Sequence, residues 1–170
     1  MANGISFSPW VSWAQRNGLA LGSGVYLWAR FEEYPPLGPA NPLHQGIIYV
    51  GQCRTKFKNR WELVDDGLRN PAKMAQFPKK YPRAKRYMEQ FGQDTSRLYV
   101  ATLPVQELHH AFQNPGTYAL LDIDMTSAGK GVLVGPFPNP NDDLLVKYME
   151  RRLILLYAVQ HGHRPVINVE

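Results

Sequence analysis

The sequence predicts an α+β domain built on an antiparallel hairpin, with helices beside it and long loop insertions, and three observations predict it. "GVYLWARF" (residues 24–31) alternates as a strand, and "IIYVGQC" (47–53) follows as a second apolar run. "RLYVATLPV" (97–105) supplies a third strand. Two segments, about 56–69 and 142–160, repeat apolar residues at helical spacing.

Taken in order, "SPWVSWAQRN" (8–17) reads as a short helix, with Ser8 at the N-cap, Pro9 at the first helical position and Gly18 at the stop. In the first strand Val25, Leu27, Ala29 and Phe31 share one face, and Tyr26, Trp28 and Arg30 share the other. Residues 32–46 hold too much proline and glycine for regular structure and read as a loop. In the second strand, strict alternation puts Ile48 and Val50 on one face and Ile47, Tyr49 and Gly51 on the other. A suitable hairpin register then brings Tyr26 and Tyr49 to a common side. The helix at 56–69 carries Phe57, Trp61, Val64 and Leu68 as its apolar stripe and ends at Asn70-Pro71. Residues 72–96 are basic, with a short helix expected in "PRAKRYMEQFG". Residues 106–142 read as irregular, with short strands conceivable at "YALLDI" and "GVLVG", before the terminal helix.

Composition narrows the classes. At 170 residues, 44% hydrophobic and 12% aromatic, the chain fits one globular domain (1–170) able to bury a core. The lone cysteine, Cys53, forms no internal disulfide, which favours a reducing, cytoplasmic setting. No apolar run approaches membrane-spanning length, and the N-terminus lacks the pattern of a signal peptide, so no membrane partner is expected. The net charge of +5 is lopsided: residues 54–97 hold 12 of the 19 Lys and Arg against five acidic residues, and the rest of the chain is net negative. Such a distribution favours a polyanionic partner, the plainer alternative being a solvated basic face.

The terminal helix contains an anomaly. At helical spacing Glu150 is flanked by Val146, Leu153, Ile154 and Tyr157, an apolar face on which a lone carboxylate is costly. It needs a cation. Lys147 in a structural salt bridge is one candidate and a hard divalent ion is the other.

Gly24-Val25-Tyr26, Tyr49-Val50-Gly51, Arg60, Glu150 and Asn168, in that order on strand, strand, helix, helix and C-terminal segment, resemble the motif set of the GIY-YIG nucleases. The likeness spans roughly residues 24–168, leaving 1–22 as an N-terminal helical extension and 32–46 and 71–96 as insertions. It implies a three-stranded antiparallel sheet flanked by helices and a metal-dependent endonuclease that hydrolyses phosphodiester bonds in DNA, with Mg²⁺ or Mn²⁺ as cofactor. It places the metal on Glu150, the attacked phosphate on Arg60, and water activation on Tyr26 or Tyr49, with Tyr26 slightly favoured and Asn168 bracing the site. The residue types suit that chemistry: a guanidinium holds non-bridging oxygens with its fork of donors, and a metal neutralises charge on the leaving oxygen. Arg54, Lys56 and Lys58 are then candidates for phosphate contacts with double-stranded DNA, and the insertions 32–46 and 71–96, the latter with Lys79, Lys80, Arg83, Lys85 and Arg86, for groove contacts. A stand-alone restriction enzyme or DNA-cutting toxin is the expected type, with a homodimer if the target is palindromic. The alternative is a catalytically silent nucleic-acid-binding module on the same scaffold.

Three departures from the family pattern stand out. The tyrosine motifs are about twice the usual distance apart because of residues 32–46. Val64 occupies the place, one helical turn after Arg60, where many members carry a histidine or tyrosine, leaving His44, Lys56 and Lys58 as weak substitutes. The spacing from Glu150 to Asn168 is long. His109, His110, His161 and His163 lack zinc-ligand spacing, and Cys53 reads as a buried strand-end thiol.

Overall fold

The computed structural model describes residues 6–19, 22–108 and 143–168. The sheet has four antiparallel strands in the order β1-β4-β2-β3: β1 (Val11–Ser12), β2 (Gly24–Arg30), β3 (Ile47–Cys53) and β4 (Leu98–Pro104). Helices α1 (Phe57–Arg69), α2 (Pro71–Gln76), α3 (Pro82–Phe91) and α4 (Asp143–His161) surround it. The possible strands "YALLDI" and "GVLVG" and the pair His109-His110 lie outside the described residues.

The fourth strand corrects the expected three, and it replaces the start of the expected N-terminal helix. Val11 and Ser12 pair with Val100 and Tyr99, and a 3-10 helix follows from Trp13 to Gly18. The reason is local. The Ser8 hydroxyl accepts from the Thr102 N–H at 3.0 Å, and the Ser8 N–H donates to the Thr102 carbonyl at 2.8 Å. Ser8 is therefore committed to the end of the sheet and does not cap a helix. The 3-10 helix is pinned to α1 through Asp65, which accepts from Trp13 Nε1 at 2.8 Å and pairs with Arg16.

The sheet divides the core in two. On one face Val25, Leu27, Ala29 and Phe31 pack with Leu145, Val146, Met149, Leu153 and Tyr157 of α4. On the other, Tyr26 and Trp28 pack with Phe57, Trp61, Val64 and Leu68 of α1 and with Tyr81, Ala84 and Tyr87. The alternation expected for β2 and the apolar stripe expected for α1 both hold. Truncating a side chain as buried as Trp61 costs about 3–5 kcal/mol in comparable cores.

The alternation expected for β3 fails at its start. Register runs Trp28↔Tyr49 and then Ala29↔Ile47, so Ile48 is an extra residue with no partner across the pair. This bulge moves Ile47 to the α4 face with Val50, and Ile48 to the α1 face with Tyr49. From Tyr49 onward strict alternation returns, and Tyr26 and Tyr49 do share the α1 face.

Two glycines set the close approaches on which the site depends. A Cβ on Gly24, whose φ is +149°, would run into the Leu103 carbonyl oxygen of β4. A Cβ on Gly67 would come 2.6 Å from Ala84 Cβ, so α3 can lie tightly against α1 only over a glycine. The start of α3 is fastened by Asp66, which accepts from the Tyr81 hydroxyl at 2.5 Å and from Lys73 Nζ at 2.8 Å.

Candidate active site

β3 is an edge strand of the sheet, and the segment after α4 runs along its outer edge. The Ile48 carbonyl accepts from the Ile167 N–H at 2.9 Å. Two residues on, Asn168 takes both backbone groups of Val50: its Oδ1 accepts from the N–H and its Nδ2 donates to the carbonyl, each at 2.7 Å. Backbone groups at alternate residues of a strand point the same way, so the next outward N–H belongs to Gln52. That N–H is among the groups that draw the Glu150 pKa down. The outer edge of β3 thus carries Asn168 and lies within electrostatic reach of Glu150.

Glu150 is half-buried, as its apolar surroundings on α4 predict. Burial raises its pKa above the ordinary carboxylate value, while Arg83, the Gln52 N–H, Arg151 and Arg60 pull it down without restoring it. Desolvation therefore outweighs the three guanidinium groups that act on the carboxylate. The Gln52 side-chain oxygen is buried and, among the described residues, has no hydrogen-bond partner.

The two motif tyrosines stand ring to ring, with centroids 5.8 Å apart. They share a small space left by Gly51. A Cβ there would meet Tyr26 Cζ at 2.7 Å and Tyr26 Oη at 2.8 Å, and would strike the Tyr49 ring as well. The glycine of the second motif is thus a steric requirement of both phenols. Tyr26 is 0% exposed, and among the described residues its hydroxyl has no hydrogen-bond partner. Burial, and secondarily the neighbouring Tyr49, push its pKa well above the ordinary tyrosine value, against the opposing pull of Arg83 and Arg60. Tyr49 differs: its hydroxyl accepts from Arg83 Nε at 2.6 Å, and the Arg83 guanidinium lies 5.7 Å from its ring centre.

Arg60 is half-buried on α1, and among the described residues it makes no hydrogen bond or ion pair. Its charge acts on both Tyr26 and Glu150. Arg83 acts on Tyr26, Tyr49 and Glu150. Burial disfavours its charge, but those three partners outweigh burial and hold its pKa above the ordinary value. Four residues singled out by motif, Tyr26, Tyr49, Arg60 and Glu150, therefore belong to one electrostatic neighbourhood. Asn168 stands at its rim as a backbone clamp.

The remaining basic candidates divide. Arg83 and Arg86 turn inward from α3, Arg86 donating to the Ile167 carbonyl at 3.3 Å. Lys79 and Lys80 border a cleft of about 100 Å³ with Arg60, Val64, Tyr81 and Arg83. Lys58 and Lys85 are exposed and pair with Glu62 and Glu89 at 3.6 and 3.8 Å. Arg54 and Lys56 are exposed before α1. Val64 is 3% exposed within the core, so no polar group stands at the place one turn after Arg60. His44 is spent elsewhere, its Nδ1 accepting from the Gly46 N–H at 2.9 Å. Sequence reasoning left Arg83 among the groove contacts, because a charge run reads as a solvated face. The usable signal was Ala84 and Tyr87, three apart and apolar, which place Arg83 at the border of the inward face of α3.

A broader cleft of about 970 Å³ lies along the opposite side of α1, where Lys58, Glu62, Asp65 and Arg69 recur at helical spacing. Its charges largely satisfy one another: Asp65 pairs with Arg16 and Arg69, and Lys58 with Glu62.

As to a metal, no group of three or more His, Cys, Asp or Glu side chains converges among the described residues. Glu150 offers a single half-buried carboxylate as a hard oxygen donor, with its pKa raised by burial. That set fits an ion of the magnesium type, which commonly takes one or two protein carboxylates and draws its other ligands from substrate phosphate and water. Among the described residues no helix is long and apolar enough to cross a membrane. Cys53 is buried, as expected. Comparison with known proteins returned no matching family model, curated protein or solved structure.

Proposed function

We propose that the chain is a metal-dependent endonuclease that hydrolyses phosphodiester bonds in double-stranded DNA, of the GIY-YIG type that its motifs resemble. The observation that carries the reading is the common neighbourhood of Tyr26, Tyr49, Arg60 and Glu150, residues up to 124 positions apart in sequence. A buried carboxylate calls for a cation, but that need alone does not bring two phenols to the same place. A phosphodiester supplies a reason, because its hydrolysis needs cationic groups on the non-bridging oxygens and a group to take the proton of the attacking water.

In this reading Arg60 holds a non-bridging oxygen, and Glu150 holds Mg²⁺ or Mn²⁺, which when bound stabilises charge on the leaving oxygen. The water oxygen forms a bond to phosphorus as the bond to the leaving sugar oxygen breaks. Tyr49, whose hydroxyl is held by Arg83, has the stronger claim to the water's proton. Tyr26 is closed off by burial and orients its neighbour. Lys79 and Lys80, bordering the Arg60 cleft, with Arg54, Lys56, Lys58 and Lys85, would steer and hold the duplex backbone. A restriction enzyme or DNA-cutting toxin is the type this reading favours, with the insertions at 32–46 and 71–96 as candidates for target contacts.

The test is incubation of the purified chain with supercoiled plasmid and Mg²⁺ or Mn²⁺, with RNA in parallel. The reading expects nicked or linear DNA, blocked by EDTA and abolished in Glu150→Gln while binding persists. Intact DNA with a salt-sensitive mobility shift would instead support the silent binding module, which the buried Val64 favours.

A further inference from the structure

The cleft beside Arg60 has a second guanidinium that no motif of the chain announces. Arg83 enters it from α3, the helix that begins at Pro82 and lies over Gly67 of α1. Its Nε is spent on the Tyr49 hydroxyl at 2.6 Å. No other hydrogen bond among the described residues uses its Nη atoms. Arg60 and Val64 line the same cleft, whose volume of about 100 Å³ is several times the ~10–15 Å³ that one water needs on the same measure and leaves room for a phosphate group.

We propose that Arg83 completes the site from a second helix: its Nε fixes the Tyr49 hydroxyl, and its Nη groups hold a non-bridging oxygen of the same phosphodiester that Arg60 holds, in the space that a longer polar side chain at position 64 would otherwise fill. The fork of an arginine suits two simultaneous duties in a way that the single point charge of a lysine does not. The placement is over-determined. Asp66 fastens Tyr81, two residues before Arg83, and Gly67 admits Ala84, one residue after it. The 71–96 insertion thereby contributes to the reacting centre as well as to the surface.

This inference rests on the nuclease reading, and its test separates the two. Arg83→Gln, Arg83→Lys, Tyr49→Phe and the Arg83→Gln/Tyr49→Phe double variant are compared with the parent chain for single-turnover DNA cleavage in Mg²⁺ or Mn²⁺, for thermal unfolding, and for duplex binding in Ca²⁺ at several salt concentrations. Arg83→Gln is expected to slow cleavage on the order of 100-fold, as loss of one preorganised donor does elsewhere. Arg83→Lys recovers part of that loss. The double variant is little slower than the worse single one, because the two side chains act as a unit. Full activity in Arg83→Gln, additive losses in the double variant, or losses that follow unfolding at the assay temperature would each overturn the proposal. If the parent chain cuts nothing in either metal, the nuclease reading falls and Arg83 is judged on binding. A phosphate-holding role lowers the slope of log affinity against log salt by about 0.9 in Arg83→Gln. An unchanged slope ends the proposal.

Discussion

Asn168 grips Val50 by both of its backbone groups, at 2.7 Å each, and so does for one residue of β3 what a neighbouring strand would do. Asn168→Ala leaves a part-buried N–H and carbonyl on the open edge without their partners. A loss of about 1–3 kcal/mol in unfolding free energy is expected, measured by urea titration. Asn168→Asp, which keeps the acceptor but not the donor, should fall between the two. Equal stability of all three proteins would show that the clamp contributes nothing.

Gly51→Ala tests the steric role of the second motif. The added methyl meets both phenol rings, and neither ring has space to withdraw into, since Tyr26 also packs on Phe57 and Trp61 with centroids 5.9 and 6.1 Å away. Overpacking of this kind typically costs about 1–3 kcal/mol. Cleavage should drop by more than stability accounts for, because the phenols must shift relative to Arg60 and Arg83. A variant with parental melting temperature and rate would contradict the crowding described above.

Glu150 should destabilise the fold at neutral pH. Its pKa is raised by burial, so the native state binds the proton more tightly than the unfolded chain does, and stability falls as pH rises through the native pKa. Glu150→Gln is therefore expected to melt higher than the parent at pH 7–8, with the difference shrinking as pH is lowered through the carboxylate range. Millimolar Mg²⁺ or Mn²⁺ should raise the melting temperature of the parent and leave Glu150→Gln unmoved. A lower melting point for the variant at neutral pH would reverse this account.

Asp66 should behave in the opposite sense. Lys73, then the Tyr81 hydroxyl, hold its carboxyl down to about 2, so its contribution is present above the ordinary aspartate pKa and is lost as pH falls toward 2. Asp66→Asn is expected to melt lower than the parent at pH 7, and the gap should close between about pH 4 and pH 2. The same variant should slow cleavage, since Asp66 anchors the start of the helix that presents Arg83. A gap independent of pH would point to packing and not to charge.

What the sequence made legible, and what it did not, divides along physical lines. β2, the stripe of α1, α4 and the odd placement of Glu150 were readable because burial imposes periodicity. Ile47 and Ile48 were assigned to the wrong faces because a bulge breaks a period of two and leaves no mark in an all-apolar run. β1 was missed because Ser8-Pro9 satisfies the grammar of a helix start, while the hydroxyl that would cap it is taken by Thr102, 94 residues away. Tyr26, Tyr49, Arg60 and Glu150 could be gathered by motif order. Motif order says nothing of Arg83: the spacing of Ala84 and Tyr87 puts it at the border of the inward face of α3, but its final placement depends on Gly67 and Asp66 in another helix.

The edge of β3 also dictates when the centre comes into being. On a ribosome, both phenols and both guanidinium groups emerge early, whereas the acid at position 150 and the Asn168 clamp on the outer edge of the strand bearing Tyr49 are made much later. The candidate site is therefore completed only when residues 143–168 dock on strands that already exist.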